Sequence, residues 1–154
     1  MMEGMNREQA SEAMKQAVIK TYSDMVFLDV AENPDMEIPA HFSYVLGIDI
    51  LKPLSGTIVM YLSEDLKTRI VENIYYEPLK INQNDRDDCL LEILNVLAGS
   101  FLTIYFGKEL NYKMKLPELF VDYLENGNDN FVLLNFNAEG LPFQVILKSV
   151  RYRY

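Results

Sequence analysis

The segment DDCLLEILNVLAGSFLTIYFG, residues 87 to 107, constrains the fold more than any other stretch of the chain. It reads as a helix of roughly six turns at 3.6 residues per turn. Leu90, Leu91, Ile93, Leu94, Leu97, Phe101 and Leu102 cover most of its circumference. Such a helix must lie against sheet or other helices on most sides, because an apolar face wider than a stripe has no place on a solvated surface. Asp88, Glu92, Asn95 and Gly99 break the pattern. At about 100° per residue they fall at roughly 0°, 40°, 340° and 20°, one polar strip some 60° wide. A buried helix with one line left for solvent implies a fold that covers it on the remaining sides.

The rest of the chain supplies the cover. Residues 6 to 24 place Ala10, Ala13, Met14, Ala17, Val18 and Tyr22 near helical spacing, which predicts an amphipathic helix. VFLDV, residues 26 to 30, is a short strand candidate, followed by a loop rich in helix and strand breakers. In FSYVLGIDIL, Tyr44, Leu46, Ile48 and Ile50 share one face while Val45, Gly47 and Asp49 share the other. KPLSG turns that strand into TIVMYL, giving a hairpin. Ser63 before Glu64 and Asp65 is an N-cap with acids in the first turn of a second helix. Asn84 or Asp85 can cap the long helix, which would put Asp87 and Asp88 in its first turn, and Gly107 is a natural stop. Pro117 divides LNYKMKLPELFVDYL, and FVLLNF, NAEGLP and FQVILKSV read as a second hairpin. At 154 residues the expectation is one domain spanning 1 to 154. Two hairpins with helices between them, without regular strand-helix alternation, predict an α+β fold: an antiparallel sheet with helices packed on it, a sheet-and-helix sandwich.

Charge and motif content remove several classes of function. A formal charge of −9 disfavours nucleic acid, which asks for clustered Lys and Arg, and the only basic knot is KSVRYRY at the end of the sequence. The start, MMEGMNREQASEAMKQ, lacks the basic-then-apolar order of a signal peptide. No run is expected to reach the ~20 apolar residues of a membrane span, so the reading is cytoplasmic with no membrane partner. Cys89, the single cysteine, has no histidine near it in sequence and reads as a core thiol in a reducing compartment. His41 is the single histidine, and no Gly-x-Ser-x-Gly elbow accompanies it, which argues against a hydrolytic triad. No His, Cys and Asp cluster has ligand spacing, so no metal site is expected on this chain.

The polar strip is where chemistry can reside. Glu92 and Asn95, three residues apart, are neighbours on the helix surface. Gly99, one turn further, leaves bare backbone, and because an interior glycine costs about 1 kcal/mol against alanine, a close approach by another helix or chain is expected there. Glu-x-x-Asn alone is a weak signal: Glu3 with Asn6 and Glu125 with Asn128 share it, but neither pair sits on an apolar helix.

Within DDCLLEILNVLAG, the pattern Asp88-x-x-x-Glu92-x-x-Asn95-x-x-x-Gly99 resembles the signature of the CheC/CheX/FliY family of chemotaxis phosphatases, which dephosphorylate the response regulator CheY. The turn and strand PLSGTIVMYLSEDL resemble the same family, so the likeness spans roughly residues 42 to 107 and, more loosely, the closing hairpin. The resemblance implies a CheC/CheX-like sandwich and a phosphorylated CheY-like response regulator as partner. It also implies catalytic roles for Glu92, which would pair with a lysine of the regulator, and Asn95, which would orient the hydrolytic water. Asp88, Glu92 and Gly99 would contact the partner. Mg2+ would be bound by the partner's receiver domain, leaving this chain without a cofactor. Some members carry a second site on the first helix; here Glu12 is followed by Lys15 where an asparagine is required, so one site per chain is expected, the CheX-like arrangement, and with it a homodimer whose sheet extends across subunits on strands such as FVLLNF.

The chemistry agrees with those roles. Acyl phosphate hydrolysis is largely a matter of placing water in line with phosphorus, which GTPases accomplish with a glutamine amide. Asn95 carries the same amide, too weak a base to take a proton but suited to orientation. A carboxylate beside a phosphoryl group repels it unless paired, and Glu92 bonded to a partner cation becomes an anchor. A different class of function fits the same residues: a non-catalytic module that binds a receiver domain or assembles a signalling complex.

Overall fold

In a computed structural model of the chain, residues 4–36, 42–120 and 130–148 are described. His41, Met1, Met2, Glu3, residues 125–129 (ENGND, which reads as a loop) and the basic residues after Lys148 lie outside them. The element order is α1 (Arg7–Thr21), β1 (Val30–Glu32), β2 (Tyr44–Lys52), β3 (Gly56–Leu62), α2 (Glu64–Ile74), α3 (Gln83–Phe106), β4 (Lys113–Met114), β5 (Glu118–Phe120), β6 (Asn130–Ala138) and β7 (Leu141–Lys148). The seven strands form one antiparallel sheet ordered β1-β6-β7-β3-β2-β4, with β5 also paired to β2. This is the α+β architecture expected from the two hairpins.

Alternation along the strands decides which face the helices cover. Leu46, Ile48 and Ile50 of β2, Ile58, Met60 and Leu62 of β3, Val132, Leu134 and Phe136 of β6, and Phe143, Val145 and Leu147 of β7 point into one core. Period-two side chains meet there with the apolar faces of α1, α2 and α3. The residues between them, among them Val45, Val59, Tyr61 and Ile146, join Phe120 in a smaller cluster on the opposite face. Glu139 and Gly140 close the second hairpin with φ of 48° and 91°, the left-handed pair of a tight two-residue turn.

Three features differ from expectation. VFLDV is not a strand; residues Tyr22–Val26 make a π-helical turn that ends at Phe27 with φ of 60°, and β1 starts at Val30. The extra turn lets both Tyr22 and Val26 stay in the core. Asn82, neither Asn84 nor Asp85, caps α3, its side chain accepting from the Asp85 N–H at 2.8 Å. Asp87 and Asp88 therefore lie in the second turn. Finally, α3 at 24 residues is long and apolar enough by composition to cross a membrane. Its Leu90, Ile93, Leu94, Leu97, Ala98, Phe101 and Leu102 are at most 1% exposed, so that apolar surface is used inside this domain.

On the β1 side, ladder pairing covers Phe136 to Ala138 of β6. Among the described residues, Phe131 to Leu134 have no strand on that side; the Phe131 carbonyl accepts from Arg7 Nε at 3.0 Å. FVLLNF thus has an open edge over its first half.

Tyr22 makes the fold sensitive to base. Its ring stacks on Phe143 with centroids 4.6 Å apart, its hydroxyl meets Met60 Sδ at 3.3 Å, and complete burial pushes its phenol well above the ordinary tyrosine value. The neutral phenol is thus favoured in the folded state. Below pH ~10 both states hold the proton and nothing changes; above it the unfolded state releases a proton that the folded state keeps, so stability falls as pH rises. Urea midpoints should drop steadily above pH ~10, and Tyr22→Phe should flatten that slope.

Candidate functional site

Asn82 sets where α3 starts, and its partners set its rotation. α1 and α3 run antiparallel: the Asn6 N–H donates to the Tyr105 hydroxyl at 2.8 Å at one end, while Met25 shares a groove with Cys89 at the other. Arg86 ties the preceding turn down, donating to the carbonyls of Ile81 and Pro78 at 3.0 and 2.6 Å. Asp87 turns inward and meets Lys67 Nζ at 2.5 Å, with Gln83 Nε2 at 2.9 Å on the same oxygen. Asp88 is one residue on, about 100° around the helix, and turns out.

With α3 held this way, the N-terminal half of the strip faces solvent. Asp88 and Glu92 are exposed and Asn95 is half-buried. None of the three side chains has a hydrogen bond or ion pair among the described residues. That leaves a carboxylate and a carboxamide one turn apart with no protein partner to displace before another molecule bonds them. Beside them Met25, Ile74, Tyr75 and Cys89 line an open groove of about 480 Å3 that Asp88 and Glu92 border. Partial burial raises the Cys89 thiol above its ordinary value, and the residue lines this groove half-buried instead of sitting in the core as expected. Tyr75 is raised as well, by partial burial first and then by Cys89, Asp85 and Asp88.

Gly99 is buried, and the close approach expected there comes from this chain. A Cβ built on Gly99 would lie 2.9 Å from the Tyr112 hydroxyl. Gly107, with φ of 98°, ends α3 and reverses the chain, which brings Tyr112 back alongside the helix just before β4. Tyr112 was not legible as a site residue; the glycine inside α3 was its one signal. On α1, Glu12 is exposed and accepts from Gln16 Nε2 at 3.4 Å, while Lys15 lies 3.6 Å from Glu32. Among the described residues no cluster of three His, Cys, Asp or Glu could hold a metal ion.

This architecture, a broad antiparallel sheet with helices packed on one face, is that of the CheX and CheC-like proteins. The CheX chemotaxis protein of Vibrio vulnificus superposes with a TM-score of 0.73 at 14% identity, covering 94% of this chain and 99% of that one. A CheC-like superfamily protein from Shewanella sp. PV-4 gives 0.71 at 16% identity, with 94% and 98% covered. CheX from Borrelia burgdorferi, in a structure of a CheX-CheY-BeF3-Mg complex, gives 0.64 at 13% identity, with 89% and 95% covered. No protein-family model matches the sequence, and no curated protein matches it. At these identities the likeness is one of fold.

Proposed function

We propose that this chain is a CheX-like member of the CheC/CheX/FliY family and a cytoplasmic phosphatase for the aspartyl phosphate of a CheY-type receiver domain. The observation that carries this reading is the pair on α3: Glu92 exposed, Asn95 beside it, both without partners among the described residues. The Borrelia burgdorferi relative forms a complex with CheY, which supports a receiver as the partner here.

In the reaction, a water oxygen attacks phosphorus and the bond from phosphorus to the aspartyl oxygen breaks. The products are the free carboxylate and inorganic phosphate, which takes up the water's remaining protons in exchange with solvent. Asn95 orients the water, and Glu92 bonds a lysine of the receiver, so that its charge is neutralised before it nears the phosphoryl group. Asp88 extends the acidic contact, and Gly99 shapes the far end of the strip. Mg2+ is held by the receiver. Dimerisation across the open half of β6 would leave α3 free, because that edge belongs to the sheet and the strip to the outer side of a helix.

Phosphate release from a CheY-type receiver charged with acetyl phosphate and Mg2+ tests the reading. The wild type is expected to accelerate release, and Glu92→Ala to weaken receiver binding by about 10- to 100-fold, the usual worth of a charge-assisted hydrogen bond. Binding without any acceleration would replace the enzyme with the non-catalytic receiver-binding module.

A further inference from the structure

Orienting a water needs more than one contact. A single amide fixes one axis and leaves the molecule free to turn about it; a second hydrogen-bonding group fixes the direction of the attacking lone pair. The strip as read from the sequence offers Asn95 alone for that purpose, since Glu92 is committed to the partner. The structure brings a second group to the next turn of the same helix, at Gly99. Tyr112 lays its hydroxyl on Gly99, with Oη 2.9 Å from the position of a built Cβ while Cζ is 3.5 Å and Cε2 4.0 Å away, so the ring points at the helix hydroxyl first. Asn95 is one turn toward the N-terminus, its Cβ about 5–6 Å from that of a residue four positions on. Helical side chains lean toward the N-terminus, so the direction that Gly99 leaves open faces Asn95. Tyr112 remains 45% exposed and its hydroxyl has no hydrogen bond among the described residues.

We propose that Tyr112 is a further catalytic group of this site, its hydroxyl giving the second hydrogen bond to the water that Asn95 orients. The inference rests on the phosphatase reading of the strip. It also accounts for Gly99, a poor helix former inside a long helix: any side chain there would evict the hydroxyl from its seat. The ring's position is set by Gly99 and by the turn at Gly107, so removal of the hydroxyl alone leaves the packing in place.

The test is steady-state phosphate release from the same receiver charged with acetyl phosphate, comparing wild type, Tyr112→Phe, Gly99→Ala, the double variant and Asn95→Ala. Tyr112→Phe should lower kcat about 10-fold, the loss of one hydrogen bond to the reacting water, with KM within about twofold because no partner contact is removed. Gly99→Ala, which displaces the hydroxyl by a different route, should give a similar loss, and the double variant should be no worse than either single one. Full kcat in Tyr112→Phe alongside an inactive Asn95→Ala would overturn this inference and leave the phosphatase reading standing. No acceleration by the wild type would overturn both.

Discussion

Asn95→Ala is expected to reduce the rate of receiver dephosphorylation by about 100-fold or more while leaving receiver affinity within a few-fold of the wild type. A group whose only task is to place the attacking water contributes to the transition state and little to the ground-state complex, so the loss appears in kcat. A 100-fold loss is about 2.7 kcal/mol, the size found when one preorganised polar group is removed from a reacting centre. The substitution is also clean. Asn95 is half-buried, lies mid-helix and makes no side-chain hydrogen bond among the described residues, so nothing is left unsatisfied. Alanine is the better helix former by up to ~0.7 kcal/mol. The variant should therefore melt no lower than the wild type. Stopped-flow phosphate release and calorimetric binding of the receiver, measured on the same preparation, separate the two effects. A variant that keeps its kcat removes Asn95 from the chemistry, and one that loses both binding and stability would mean that the amide serves the fold.

The parts of the fold that were legible in the sequence are those whose signals are local. Period-two alternation in residues 44–50 assigns the correct faces to Leu46, Ile48 and Ile50 without reference to any partner strand, because the pleat alone determines them. Ser63 could be read as a cap because its acceptor reaches only as far as the Leu66 N–H, at 3.2 Å. The start of α3 was misplaced because residues 82–88, NQNDRDD, offer several capping side chains, and the choice of Asn82 depends on Arg86 gripping the Ile81 and Pro78 carbonyls. VFLDV failed as a strand for a similar reason. Its apolar residues suit either secondary structure, and the need to bury Tyr22 against Phe143, more than 100 residues away, decides for the π-turn.

For the site, the strip itself was legible, since four positions on one helix need only helical periodicity. What lay beyond reach were contacts made across the fold. Tyr112 sits in a segment that reads as either strand or helix, and nothing in its neighbours points to Gly99. Asp87 and Asp88 are identical in type and adjacent, yet one is committed to the interior and the other to solvent. Lys67 carried no signal at all: in EDLKTRIVENI it reads as an ordinary solvated lysine, and it is 2% exposed.

That lysine is where the largest loss of stability is expected. Lys67→Met should destabilise the protein by about 3 kcal/mol, the lower end of what removing one partner of a buried ion pair costs. The lower end applies because Asp87 keeps 22% exposure and the Gln83 amide at 2.9 Å, so its carboxylate would not be stranded in apolar surroundings. Part of the loss is the ammonium's contact with the Tyr44 ring, whose centroid is 4.1 Å away. Methionine fills nearly the same volume, so the change reports charge and hydrogen bonding, not a cavity. Because Tyr44 in turn bonds Glu64, the ammonium joins the start of β2, the first turn of α2 and the second turn of α3 at one point. Removing Asp87 as well should recover much of the loss: in Lys67→Met with Asp87→Leu no buried charge lacks a counter-ion, and the coupling between the two changes should exceed about 1 kcal/mol. Urea denaturation of the wild type, both single variants and the double variant measures that coupling directly. Additive losses would mean that the two side chains act independently, and α3 would then owe its orientation, and the outward turn of Asp88 and Glu92, to apolar packing and the Asn82 cap alone.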